Sequence, residues 1–176
     1  MFQLRKATLD EKPQLEALIA RSARELSKGD YTDAQVEGAL RGAFGVDTQL
    51  IRDGTYFVAE SDGRIVGCGG WSHRKTLFGG DARTDREPGN LDPGTDAAKI
   101  RAFFIDPDYA RRGIGRAILD ECERAARARG FQRFEMMATL PGVRLYETCG
   151  YVPAEPVNYP IGPDLMIPFV RMTKDY

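Results

Sequence analysis

The fold of this chain is decided by residues 100–118, IRAFFIDPDYARRGIGRAI. Lys99–Ile105 predicts a β-strand, the Asp-Pro-Asp sequence at 106–108 ends it, and a glycine-bearing turn leads into a helix predicted over Gly113–Arg129. The first turn of such a helix has backbone N–H groups without partners, and the helix dipole favours an anion there. Glycines let the anion approach the backbone, and the arginines of the turn add charge-assisted contacts. The stretch therefore predicts a pyrophosphate-binding turn.

The spacing of the glycines excludes two common phosphate-binding motifs. A P-loop requires G-x-x-x-x-G-K-[ST], which this sequence lacks. The Rossmann fingerprint requires a third glycine at the position of Ile118. A dinucleotide-binding fold would also be expected to place this element near the start of a parallel sheet, whereas here it follows a hairpin past the middle of the chain. A different pyrophosphate site is indicated.

Patterns on both sides of this stretch predict a mixed order of strands and helices. Three glycines inside one strand, Gly67, Gly69 and Gly70, indicate a bulge or a close approach to the backbone. Arg74–Ala98 has no periodicity, and we interpret it as either a disordered segment or a lid over the site. The other predicted elements are a strand over Phe2–Ala7, a helix from Thr8 to about Ser27, a helix after Thr32, a hairpin of Thr55–Glu60 and Ile65–Ser72, a strand over Phe131–Thr139, a short helix over Pro141–Cys149, and two strands, the last near Ile167–Thr173.

Composition restricts the function classes. The 176 residues fit one domain, and 25 basic against 26 acidic residues leave a net charge of −1. Such a balance gives no general attraction to nucleic acid or an anionic membrane, so any anion site must be local. With three widely spaced cysteines and one histidine, we expect no disulfide framework and no metal site. Because no signal-peptide-like or membrane-length apolar run is present, we expect a reduced, cytoplasmic protein.

Two motifs together carry a family resemblance. The pattern strand, Asp-Pro-x-Tyr-x-Arg-Arg-Gly-Ile-Gly, helix at residues 106–115 resembles the acetyl-CoA-binding motif of GNAT acetyltransferases. Residues 145–151, LYETCGY, resemble the short-helix signature of the same family. The order of predicted elements matches from Phe2 to about Met172. The resemblance implies a single α/β domain over residues 1–176, with a twisted, mixed, mostly antiparallel sheet that splays between its central strands and has helices on both faces.

The resemblance also implies an activity and roles for matching residues. The activity is transfer of an acetyl group from the co-substrate acetyl-CoA to an amine of a small molecule or peptide, by direct attack, and a homodimer is a family-level expectation. Backbone groups of Phe103, Phe104 and Ile105 would contact the pantetheine arm and stabilise an oxyanion, and Tyr146 would be the general acid for the departing thiolate. The pyrophosphate would lie on the amides of the turn, which are those of Arg111, Arg112, Gly113, Ile114, Gly115 and Arg116.

The sequence departs from the family pattern at three positions. Many relatives have Gln or Arg where this chain has Ala110, and we expect the two following arginines to compensate. Some relatives have a glutamate base where Lys99 stands, and others an asparagine where Pro141 stands. The general base is therefore unassigned, and the candidates are His73, Glu135 and an ordered water.

The resemblance leaves the acceptor pocket to segments that vary between members of the family. Aromatic content would suit either an apolar amine or a cation held by ring faces. Two other function classes stay open: a non-catalytic acyl-CoA-binding module, and an arginine-driven RNA-binding protein, against which the acidic residues interleaved on the helix argue. The side chains expected to line the pocket are Tyr31, Phe44, Trp71, His73 and Tyr159, with Glu135 as a further substrate-side candidate.

Overall fold

A computed structural model describes residues 1–176 as a seven-stranded sheet with helices on both faces. The strand order is β1-β2-β3-β4-β5-β7-β6, and only β4 and β5 are parallel neighbours, which confirms the predicted mixed, mostly antiparallel sheet. The strands are β1 (Gln3–Lys6), β2 (Tyr56–Ser61), β3 (Arg64–Ser72), β4 (Ala98–Ile105), β5 (Arg133–Thr139), β6 (Val152–Gly162) and β7 (Leu165–Asp175). The helices are α1 (Lys12–Leu26), α2 (Asp33–Ala39), α3 (Thr48–Arg52), α4 (Ile114–Ala128) and α5 (Val143–Thr148), with 3₁₀ turns at Leu9–Glu11, Pro107–Tyr109 and Leu140–Gly142.

Each face of the sheet has its own hydrophobic core. On the α1 face, helices α1, α2 and α3 bury apolar side chains such as Leu15 and Leu50 against the sheet. On the α4 face, α4 presents a buried stripe that includes Ile114, Ile118 and Cys122. This stripe has the helical spacing read from the sequence, so its burial determines which side of α4 faces the sheet.

The sheet opens between its two central strands. β4 and β5 are paired only from Ala98–Ile100 to Phe134–Met136, although β4 continues to Ile105 and β5 to Thr139. The unpaired ends therefore diverge, as the family resemblance implied. We call this divergence the opening.

A bulge in β4 accompanies the opening. Cys68 pairs with Phe104 and Gly70 pairs with Arg101, so two residues of β4 face one residue of β3. The extra residue, Ala102, has φ 56°, which only a bulge or turn imposes on a non-glycine residue. A Cβ at Gly69 would lie 2.7 Å from the Phe103 ring, so the close approach predicted for these glycines is confirmed.

Residues 73–97 are an ordered segment, so of the two interpretations, disorder or a lid, the first is wrong. Backbone N–H groups of Gly80 and Asp81 donate to carbonyls of Gly42 and Val46 at 2.9 and 2.8 Å. The Arg74 guanidinium also donates two hydrogen bonds of 2.8 Å to Asp53. These contacts join residues far apart in sequence, which explains why local pattern did not reveal them.

The chain has no helix of the length and apolar character that crossing a membrane requires.

Candidate active site

A cavity of about 60 Å³ lies at the opening. Its walls include Phe103 and Tyr146, which belong to the α4-face core. They also include Phe44 and Phe169 from the α1-face core. Because side chains from both cores meet there, the cavity connects the two faces of the sheet between β4 and β5.

The β4 backbone forms one edge of the opening. Asp106 N–H donates to the Val66 carbonyl of β3 at 2.9 Å, so the preceding N–H, that of Ile105, points away from β3. The Ile105 N–H donates to the Ser22 hydroxyl of α1 at 3.2 Å. At the bulge, the Ala102 carbonyl turns inward and accepts a 2.8 Å hydrogen bond from the buried Tyr56 hydroxyl. The strand is thus fixed on both sides of Phe103.

A tight turn connects β4 to α4. The Asp106 carboxylate is buried and accepts hydrogen bonds from the Asp108 N–H at 2.9 Å and the Arg21 guanidinium at 2.8 Å. Arg111 and Gly113 have φ values of 63° and 84°, in the left-handed region. A non-glycine residue pays a strain energy of about 1 kcal/mol there. Such strain is concentrated at functional turns because the surrounding structure maintains it.

The amino terminus of α4 presents unpaired amides. The first backbone hydrogen bond of the helix runs from Ala117 N–H to the Gly113 carbonyl at 3.0 Å, so the preceding N–H groups have no helical partner. No atom lies within 4 Å of the place a Gly113 Cβ would occupy. A Cβ on Gly115 would lie 2.9 Å from Leu145 of α5. Gly113 therefore leaves room for a ligand, whereas Gly115 lets α4 and α5 pack together.

The arginines of the turn add positive charge around these amides. Arg111 and Arg112 are exposed, and the Arg112 guanidinium lies 5.0 Å from the centre of the Tyr109 ring. One Arg116 nitrogen is 3.3 Å from the Thr148 hydroxyl oxygen. Arg111 and Arg112 carry their charges without an ion pair to a carboxylate, so the site has the charge and the open backbone that bind a phosphate group.

Tyr146 of α5 lies beside β4 at the opening. Its ring packs edge-on against Phe103, with 6.2 Å between centroids. Burial raises the pKa of its hydroxyl well above the usual range, and no protein hydrogen bond contributes to that shift. A Cβ on Gly142 would lie 2.8 Å from the Tyr146 ring, so Gly142 makes the space in which this ring sits. Sequence reasoning missed Gly142, although the Pro-Gly pair before the helix was visible.

Comparison with known proteins identifies a family whose profile covers this strand, turn and helix. The profile of the acetyltransferase (GNAT) family matches residues 20–151, which is most of the chain. This chain belongs to the GNAT family of acetyltransferases. No curated protein matches it significantly in sequence.

Solved GNAT structures share the fold at low sequence identity. A GCN5-related N-acetyltransferase from Rhodopseudomonas palustris is 20% identical, with a TM-score of 0.73 and coverage of 99% of this chain and 95% of that chain. PaiA N-acetyltransferase from Thermoplasma acidophilum, in complex with coenzyme A, is 13% identical, with a TM-score of 0.68 and coverage of 100% and 99%. A polyamine N-acetyltransferase from Drosophila melanogaster, which forms N-acetylagmatine, is 16% identical, with a TM-score of 0.64 and full coverage of both chains.

The structure brings only one of the predicted acceptor-side residues of this GNAT chain to the cavity. Phe44 lines it, and its ring lies 5.7 Å from that of Phe104. Tyr159 does not line the cavity but packs 4.9 Å from Phe78, which does. Tyr31 is buried beneath the wall, where its hydroxyl donates to the Pro168 carbonyl at 2.7 Å and accepts from the Leu140 N–H at 2.9 Å. Burial raises the pKa of Tyr31 to about 12.

Three predicted substrate-side residues lie near the paired ends of β4 and β5, and none lines the cavity. Trp71 is buried against Phe131, with 5.9 Å between ring centroids. His73 Nε2 lies 3.7 Å from an Asp53 carboxylate oxygen. Glu135 forms ion pairs with Lys99 and Arg171. Neither base candidate among them therefore faces the opening.

Sequence reasoning also missed a buried ion pair beneath the cavity. Arg101 is 2% exposed, lines the cavity, and donates to Asp47 at 2.9 Å, to the Gly79 carbonyl at 2.8 Å and to the Thr76 carbonyl at 3.2 Å. Burial lowers the pKa of its guanidinium. Asp47 also binds Arg86. The only sequence signal was an arginine between apolar residues of a strand.

Proposed function

We propose that the protein is an acetyl-CoA-dependent N-acyltransferase that acetylates an amine by direct attack, without a covalent enzyme intermediate. The observation that carries the proposal is the cavity through the opening, which joins Tyr146 on the α4 face to the phenylalanines on the α1 face. A donor bound from one face and an acceptor bound from the other would meet there. This arrangement suits two substrates that react directly with each other.

The residues of the turn fit a diphosphate. The unpaired N–H groups at the start of α4, the open space at Gly113 and the exposed Arg112 supply donors, room and charge. The proposed cofactor-binding set stays as predicted: backbone groups of Phe103, Phe104 and Ile105, and the turn from Arg111 to Arg116. Acetyl-CoA would supply the activated acetyl group as a thioester.

The Ser22 contact adds one requirement to this proposal. Because the Ile105 N–H already donates to Ser22, a pantetheine amide could accept from it only as a second acceptor or by displacing the hydroxyl. Phe103, in contrast, is next to the bulge and lines the cavity. Its backbone is thus the better placed of the two to contact the arm and to donate to an oxyanion.

Tyr146 is the proposed hydrogen-bond donor to the departing thiolate. Its raised pKa keeps the hydroxyl protonated across the working pH range, so it can always donate a hydrogen bond. Since thiols titrate near ~8.5, a departing thiolate gains more from that hydrogen bond than from full proton transfer. Tyr146 would therefore stabilise the leaving sulfur where the α5 ring meets the opening.

Removal of the amine proton is assigned to ordered water. Neither His73 nor Glu135 lines the cavity. A primary amine with a pKa near ~10 must lose a proton before it attacks, and a water chain can carry that proton to solvent.

We keep the expected cytoplasmic location and a homodimer as parts of the same proposal.

The experiment is a test of turnover with acetyl-CoA. The folded protein is incubated with acetyl-CoA and a panel of primary amines, while free thiol is measured and the acetylated amine is identified by mass spectrometry. Thiol release that depends on the amine is the expected result. Tight coenzyme A binding without product from any amine would overturn the proposal and favour the non-catalytic acyl-CoA-binding module.

A further inference from the structure

We infer that the acceptor is a primary amine carried on a compact apolar group, such as an arylalkylamine, and not a polyamine or an amino acid. This inference rests on the proposed function and specifies its substrate class. It depends on three features: the apolar walls of the cavity, the balance of charge around it, and the protein cation that already occupies the aromatic faces next to it.

The α1-face half of the cavity is walled by aromatic rings. Phe44 lies between Phe104 and Phe169, with centroid distances of 5.7 and 6.1 Å. Phe169 in turn packs edge-on against Phe78 at 5.6 Å. Met137 completes this wall from β5. An apolar group bound among these side chains is removed from water without losing a hydrogen bond, whereas a polar one would lose its hydration.

The charge around the cavity disfavours a second ammonium. Arg101 is the only charged residue that lines it. Its partner Asp47 also pairs with Arg86, so one carboxylate serves two guanidinium groups. A polyamine would place its second positive charge beside this excess of positive charge, and no carboxylate lines the cavity to receive it, which raises the free energy of the bound state.

Arg101 is also poorly placed to bind the carboxylate of an amino acid. Three of its hydrogen bonds already go to protein oxygens, those of Asp47, Gly79 and Thr76. Its Nε atom has no partner but is itself buried. A carboxylate in the cavity would therefore lose its water without gaining a full set of donors.

The aromatic faces next to the cavity are occupied by a cation of the protein itself. The Arg83 guanidinium lies 3.9 Å from the centre of the Phe78 ring and 5.3 Å from that of Tyr159. Arg83 is held there by the Phe78 carbonyl and Asp85. A substrate cation would have to displace it. Of the two acceptor types that aromatic residues suit, the apolar amine is therefore favoured.

The same surroundings favour the reactive form of the acceptor. Burial among phenylalanines and proximity to guanidinium groups both lower the pKa of a bound ammonium. The neutral amine is then the preferred bound species, so transfer of its proton to water suffices. An apolar acceptor thus also explains how the reaction proceeds without a side-chain base at the cavity.

The first test compares four amines with the wild-type protein: phenethylamine, agmatine, spermidine and phenylalanine. We expect kcat/KM for phenethylamine to exceed that for each of the other three by at least roughly tenfold. Faster acetylation of agmatine, spermidine or phenylalanine would overturn the inference and leave the proposed function intact. Failure of all four amines, and of the wider panel of primary amines, to release thiol would overturn both.

The second test adds a carboxylate to the cavity wall. Thr139 lines the cavity and is the N-cap of the Leu140–Gly142 turn, a position where Asp and Asn are both favoured. Thr139→Asp should raise kcat/KM for agmatine relative to phenethylamine by roughly tenfold, while Thr139→Asn, of the same size without the charge, should leave that ratio unchanged. Equal ratios in the two variants would contradict the role given to charge.

Discussion

The α4 face and the α1 face of the opening are assembled from the chain in different ways. The groups on the α4 face come from two short stretches, residues 103–116 and 142–146. The walls on the α1 face come from five separate segments, represented by Phe44, Phe78, Phe104, Met137 and Phe169. A binding element built from one continuous stretch can be recognised by its motif. A pocket built from distant segments depends on how the chain packs.

The comparison predicts that the α1 face is the one that depends on a buried ion pair. Arg101→Met should lower the free energy of unfolding by about 3 kcal/mol, because it leaves Asp47 buried with one partner fewer. It should also raise KM for the amine, since Gly79 and Thr76 lose their anchor. Urea unfolding and steady-state kinetics measure the two effects.

Arg171→Met is the matched control for that prediction. Arg171 is also an arginine of a strand that is paired on both sides, and it has carboxylate partners, but its side chain is more exposed. We expect it to change the free energy of unfolding by less than about 1 kcal/mol. Equal losses in the two variants would show that the ion pair under the cavity has no special importance.

Two tyrosine variants distinguish a residue proposed to take part in the reaction from one that stabilises the fold. Tyr146→Phe should lower kcat by roughly 10²-fold with little change in stability, because no protein hydrogen bond is among the causes of its pKa shift and its hydroxyl is proposed to act on the leaving sulfur. Tyr31→Phe should lower stability by about 1 kcal/mol through loss of its two hydrogen bonds, with kcat close to wild type. Thiol-release kinetics and urea unfolding separate the two. Undiminished turnover in Tyr146→Phe would remove Tyr146 from the mechanism.

Two glycines with left-handed backbone conformations lie at opposite ends of α4. Their substitution distinguishes an effect on cofactor binding from an effect on backbone strain. Gly113 and Gly130 have φ values of 84° and 92°. Substitution of either by alanine should destabilise the protein by about 1 kcal/mol. Only Gly113→Ala should raise the Kd for coenzyme A, by roughly tenfold, because its methyl group would fill the open space beside the unpaired amides. Calorimetric titration of both variants checks this, and equal Kd values would move the diphosphate away from Gly113.

The smallest effect is expected from single surface charges. Arg112→Ala should raise the Kd for coenzyme A about threefold and weaken its salt dependence. Arg124→Ala, on the exposed side of the same helix and paired with Glu121, should leave both unchanged. Titrations at two salt concentrations test the pair. If the two variants behave alike, the charges of the turn do not contribute to binding.

The contrast between a continuous stretch and separate segments also explains which features could be predicted from the sequence. The strand, turn and helix of residues 99–129 were recognised because glycines, arginines and helical spacing are local signals. The opening and the mixed, mostly antiparallel sheet followed from the family resemblance, and the structure confirms both. Helix α3 was not predicted, since five residues are too few to show a period.

What sequence reasoning could not supply depends on strand register and on distant contacts. Trp71 and His73 have suitable side chains, but β3 pairing places them near the paired end of β4. Glu135 lies beside Lys99 across the β4–β5 pair and is neutralised there. Residues 73–97 gain their order from Arg101 and from carbonyls more than twenty residues away. None of these relations leaves a periodic trace in the sequence.

The central claim is that the amides at the start of α4 bind the diphosphate of coenzyme A. Calorimetric titration of the wild-type protein with coenzyme A, and separately with pantetheine, which lacks the diphosphate together with the phosphoadenosine attached to it, tests it most directly. We predict saturable binding of coenzyme A and binding of pantetheine weaker by roughly 10²-fold, as expected when several charge-assisted hydrogen bonds are lost. Equal affinity for the two, or no heat with coenzyme A, would contradict the account.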